Sequence, residues 1–280
     1  SEAGLPWIAF AIAGGTLIAA TLNSVTMYAL WGRWLRPRIQ RVTLPAAKDL
    51  ATLGFLFLGL QMAVVIAFAS DNVVVARILG VAAVPDLAVP FKLFAFVPMI
   101  LGFVLTPLWP AYGDAISKQD ATWVRVTLRR SLIGSVALSA GIGALLFVGG
   151  NVALEVWTGG EISASTSLLA ALAVWVTVSA AGNTVAMLLN GGAVIGFQLA
   201  TSWSMAVVAV VLKIVLVPRI GVEGAIWATV IAYTAFILLP DAVYVPRYLD
   251  RLSNDSAVHS GNSAEQTRED VGEGTSSEYP

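Results

Sequence analysis

The chain has 280 residues, of which 58% are hydrophobic and only 12% charged, and its formal net charge is −1. That balance excludes an ordinary water-soluble domain, in which about a quarter of residues carry charge, and it offers no basic excess for nucleic acid. Cysteine is absent and the one histidine, His259, lies in a polar tail. Disulfides, thiolate chemistry, zinc sites and histidine-based catalysis are therefore excluded, and no catalytic residue, metal ligand or cofactor is expected.

The first predicted element is the uncharged stretch Leu5–Leu30. A helix needs about 20 apolar residues to cross a bilayer core, so this stretch is long enough to span. No basic residue precedes it, which separates it from a cleavable signal peptide. A connection crowded with Arg33, Arg36, Arg38, Arg41 and Lys48 follows.

The second span is predicted at Leu50–Ser70, running on through Asp71, and the third at Leu87–Tyr112, interrupted only by Lys92. Pro107 and Pro110 are expected to bend or end the third helix. Lys118–Arg130 reads as a short amphipathic helix, with Trp123, Val124 and Val126 toward the interface and Arg125 and Arg129 one turn apart toward headgroups. A plain connector fits the same residues.

The fourth span is predicted at Ser131–Leu154. Then comes the longest uncharged run, Ile162–Leu212, fifty-one residues without Asp, Glu, Lys or Arg. One crossing cannot use that length, so the run must fold back as two spans, Ile162–Asn190 and Ala193–Val217. The reversal is expected at Asn190-Gly191-Gly192, because glycine readily takes the positive φ of a tight turn. A seventh span is predicted at Gly224–Pro240. From Ser253 to Pro280 the chain turns polar, too poor in aliphatic residues to offset its chain entropy, and is expected to be a disordered tail.

The fold class is thus all-α, a polytopic transmembrane bundle of about seven spans. Twelve of the sixteen basic residues fall in alternate connections and the tail. The positive-inside bias then places those regions, including the tail, in the cytoplasm.

Inside the spans, polar residues are expensive and mark candidate sites. Asp71 lies at the end of an uncharged run, where it is either an ion or proton site or a solvated residue at the interface. Lys92 lies five residues into the third span. It can snorkel outward, pair with Asp71 or Asp86, or hold an anionic substrate by charge-assisted hydrogen bonds. Gln61 and Asn72, eleven residues apart, return to nearly the same helical face, and Ser179, Asn183 and Asn190 form a similar stripe. Interhelical hydrogen bonding and a sugar-lined cavity both account for such stripes. Gly221, Gly224, Ala225 and Ala228 fit close helix packing.

Three segments, in order and spacing, carry a family resemblance: Ser70-Asp71-Asn72-Val73-Val74-Val75-Ala76-Arg77-Ile78-Leu79-Gly80; Leu105-Thr106-Pro107-Leu108-Trp109-Pro110-Ala111-Tyr112-Gly113-Asp114-Ala115; and Ile220-Gly221-Val222-Glu223-Gly224-Ala225-Ile226-Trp227-Ala228-Thr229. From Leu5 to about Leu252 the chain resembles the carboxy-terminal half of an O-antigen-type polysaccharide flippase of the multidrug/oligosaccharidyl-lipid/polysaccharide exporter superfamily.

The resemblance implies two six-helix lobes with both termini cytoplasmic in a multi-pass protein of the cytoplasmic membrane. Residues 1–31 would hold the last helix of a first lobe that the chain otherwise lacks, 32–46 a basic cytoplasmic linker, 47–250 a complete second lobe and 251–280 the tail. Because Ser1 is not an initiator Met, a fragment is expected. The implied function is movement of polyprenyl-pyrophosphate-linked oligosaccharide across the membrane by alternating access. Membrane lipid and a coupling proton or sodium ion would be its other partners, and Asp71, Lys92, Gln61, Asn72 and Asn183 its candidate substrate or coupling residues. A drug/cation antiporter of the same superfamily is the alternative, and a lipid-linked sugar polymerase or ligase comes third.

Overall fold

A computed structural model of the chain describes residues 4–31 and 43–254. The Arg33–Arg41 cluster and most of the polar tail lie outside the described residues. The bundle is all helical, with no strand among the described residues, and six of its helices are long and apolar enough to cross a membrane. The chain divides into two compact units at Leu53/Gly54.

The first unit contains α1, Gly4–Thr26, with a π-turn at Met27–Trp31. Two of its hydroxyls bond back within the helix: Thr21 Oγ1 donates to the Leu17 carbonyl (2.7 Å) and Ser24 Oγ to that of Ala20 (2.9 Å). Such back-bonding lets a helix carry hydroxyls through an apolar medium.

The second unit begins within α2, Leu44–Ile78. Asp71 is not at the end of this helix, because seven helical residues follow it. The third span is built in pieces: α3 (Val84–Phe94), α4 (Phe96–Leu105) and α5 (Leu108–Ser117). Proline explains each break. Pro98 has no N–H for the Phe94 carbonyl, and Pro107 and Pro110 withhold theirs from Phe103 and Thr106.

The expected short amphipathic helix is instead the opening of α6, Ala121–Thr158. The Asp120 carboxylate caps it, accepting the Trp123 N–H at 2.9 Å. Nothing in the sequence from Ser131 onward breaks the helix, so it runs on into the fourth span. Beyond it, Asn151 clamps the next loop through both amide atoms: Nδ2 donates to the Ala164 carbonyl (3.1 Å) and Oδ1 accepts the Ala164 N–H (2.9 Å).

Helix α7, Thr166–Gly191, is the hub, with buried residues around its whole circumference from Leu168 to Leu189. It meets α6 along a row of small residues, Ser135, Ser139, Gly143 and Gly150, all buried. A Cβ on Gly143 would lie 3.3 Å from the Ala173 carbonyl oxygen, so the two backbones are nearly in contact, as small residues permit in membrane bundles. The Ser135 and Thr184 hydroxyls bond across this contact at 2.7 Å.

The chain reverses where expected after α7, but for a different reason. Gly191 and Gly192 do not take positive φ; Ala193 does, at 53°. The glycines are there for space: a Cβ on Gly191 would lie 2.7 Å from Tyr112 Cβ, and one on Gly192 2.2 Å from Tyr248 Oη.

Helix α8, Ile195–Ile220, then turns through Gly221 (φ 80°) into α9, Glu223–Tyr233. Gly224, Ala225 and Ala228 are buried, and a Cβ on Gly224 would come within 2.7 Å of the Leu216 backbone. The last span continues to Asn254 through a π-turn at Thr234–Leu238. That is longer than the predicted Gly224–Pro240. Pro240 does not end the helix because the wider turn re-routes the ladder, with the Leu239 N–H bonded to the Thr234 carbonyl.

One end of this unit gathers Tyr112, Val124, Leu188 and Leu249 in a single apolar cluster, and Arg125 pairs with Asp250 there at 3.0 Å. The basic Lys118–Arg130 region and the end of the last span therefore share one end.

Candidate functional site

Helix α2 faces α8 with one residue per turn: Gly59, Ala63, Ala67 and Asp71, at intervals of four. A Cβ on Gly59 would touch Leu199 Cδ1 at 3.0 Å. Ala63 and Ala67 are buried against Met205, Ala206 and Ala209. The stripe brings Asp71 onto Lys213 of α8, with Nζ to Oδ1 at 2.6 Å. Lys213 is fully buried and Asp71 is 6% exposed. The ammonium also donates to Ser70 Oγ (3.1 Å) and to the Ala67 carbonyl. The ammonium thus has two hydrogen bonds and a counter-ion, the company a buried charge requires.

This overturns two expectations. Asp71 is not a solvated residue at the interface, and its partner is Lys213, not Lys92. The signal was present, since Lys213 is a lone cation near the end of an uncharged run, but its partner lies on a helix far back in the chain.

Beside this seam is a cavity of about 400 Å³ within the second unit. One wall is aromatic: Phe68, Phe91, Phe94, Trp175 and Tyr233. Trp175 meets Tyr233 edge-on at 5.2 Å and Phe68 at 5.4 Å. Gly182 makes room for the Tyr233 ring, for a Cβ there would lie 2.1 Å from its Oη. The polar lining consists of Ser179, Asn183, Gln198, Thr201, Ser202 and Asp241. Gln198 Nε2 donates to Asn190 Oδ1 at 3.0 Å, tying the third member of the predicted stripe to this wall.

Asp241 is the one charged residue of the lining. It is 6% exposed, and its side chain makes no hydrogen bond or ion pair among the described residues. Sequence reasoning missed it because the apolar run was read as ending at Pro240, one residue earlier.

Of the predicted candidates, the cavity takes only Asn183, with Ser179 beside it. Lys92 is exposed. Helix α3 buries Leu87, Pro90 and Phe94, and at about 100° per residue Lys92 points away from that face. Asp86 is also exposed. Gln61 and Asn72 are both exposed. Gln61 stands two residues, about 200°, from Ala63 on the buried stripe, so the face it shares with Asn72 turns away from α8.

No protein-family model, curated protein or solved structure matches this chain.

Proposed function

We propose that this chain is the transport lobe of a flippase for polyprenyl-pyrophosphate-linked oligosaccharide, with the sugar headgroup held in the cavity. The observation that carries this reading is the make-up of the cavity lining. Amides and hydroxyls line it together with aromatic rings, which matches a sugar, whose rim is hydroxyls and whose faces are apolar C–H. The resemblance of the three segments supports the same reading. The end shared by Lys118–Arg130 and the last span would be cytoplasmic, following the basic bias.

The test is photo-crosslinking. A lipid-linked oligosaccharide carrying a photoreactive sugar, mixed with the chain in lipid nanodiscs, should label Asn183 and Tyr233. Labelling confined to outward residues such as Phe103 and Val148 would overturn the reading. One observation favours the antiporter of cationic compounds instead: the cavity holds a carboxylate and no Lys or Arg. In that case a lipophilic cation should displace the probe while free oligosaccharide does not.

A further inference from the structure

Asp241 presents a problem of charge. Its side chain lines the cavity with Tyr233, Gln198 and the aromatic rings, yet no Lys or Arg lines that cavity. The buried cation of the second unit, Lys213, does not line the cavity and is committed to Asp71, Ser70 and the Ala67 carbonyl. Among the groups lining the cavity from α2, the third span, α7 and α8, none is ionisable, and the last span contributes only Tyr233 and Asp241.

A carboxylate opening into a largely apolar cavity without a counter-ion is costly. The fold nevertheless supports it, widening the last span into a π-turn at Thr234–Leu238 just before it. Such turns gather at functional sites. A cationic ligand group would remove the cost, and the ring faces of Trp175 and Tyr233 would attract the same charge. A metal ion held by three acidic or histidine ligands does not fit, since no such group occurs among the described residues.

We propose that the cavity selects a glycan bearing a free amine, the ammonium group pairing with Asp241 while the sugar ring lies against the aromatic wall. This rests on the glycan reading above and names the substrate class within it. The ammonium would donate to a carboxylate oxygen, with the Gln198 and Ser202 side chains at hand for ring hydroxyls.

The test uses the purified chain in nanodiscs and three simple probes: methyl glucosaminide, its N-acetyl derivative and methyl glucoside. Binding is followed by tryptophan fluorescence, with Trp175→Phe identifying the cavity signal. A hydrogen bond to a charged group should favour the free amine by about tenfold or more over both neutral sugars. Asp241→Asn, which keeps the shape, should abolish the preference while leaving weak binding of all three. Equal binding of the three probes by the unaltered chain, or an amine preference that survives Asp241→Asn, would overturn the inference and leave the glycan cavity standing. If no probe binds, the glycan reading itself falls, and the inference with it.

Discussion

The α2–α8 seam and the cavity each bury one carboxylate, and they treat it in opposite ways. At the seam, Asp71 has an ammonium 2.6 Å away that also bonds Ser70 and the Ala67 carbonyl. In the cavity, Asp241 has none. The first arrangement carries its own counter-ion and joins two helices, whereas the second has none and has capacity for a ligand. Burial of a charge therefore does not itself mark function; an unmet electrostatic demand does.

The sharpest way to break this contrast is Lys213→Ala. Removing one partner of a buried pair leaves the other uncompensated, so the variant should lose about 3–5 kcal/mol of stability. Unfolding in detergent would measure this. Adding Asp71→Leu should restore most of the loss, because an apolar pair of similar volume replaces the ions. Unchanged stability in Lys213→Ala would remove the seam's structural role.

Next in size is Gly182→Ala, which presses on Tyr233. Overpacking of this kind costs about 1–3 kcal/mol, and the displaced ring should also weaken crosslinking of the glycan probe. A loss of stability with binding intact would separate Tyr233 from the cavity's work.

Asp241→Asn should cost no stability and should slightly raise the unfolding midpoint, since it deletes an unpartnered buried charge. A clear drop would mean that the carboxylate has a structural duty like that of Asp71. The smallest effect is expected for Arg125→Ala. Its pair with Asp250 is largely exposed, at 54% and 69%, and such pairs contribute under about 1 kcal/mol.

The spans themselves were legible because a bilayer sets their length and polarity, conditions that a local window can test. The site was only partly so. The Gly59–Ala63–Ala67–Asp71 stripe is visible as a four-residue repeat, but only tertiary packing shows that its partner is Lys213. The Asn190–Gly192 reversal was placed correctly for the wrong cause, because the close approach of Tyr112 and Tyr248 comes from distant parts of the chain. Lys92 drew attention as a lone charge, yet the buried face of α3 is fixed by Leu87, Pro90 and Phe94, and Lys92 is not on it.

The pairing across the seam also orders events during synthesis. Ser70 and its hydrogen-bond donor Lys213 are separated by 143 residues, so at about 5–20 residues per second the ammonium emerges roughly 7–30 s after α2. Throughout that interval α2 carries a carboxyl group with no fixed partner, which weakens its hold in the hydrocarbon. Water or the insertion machinery must shelter it until the α8–α9 hairpin arrives. The penultimate helix thus acts as a clasp, and a ribosome stalled before Lys213 would leave α2 unfastened and open to removal by membrane proteases.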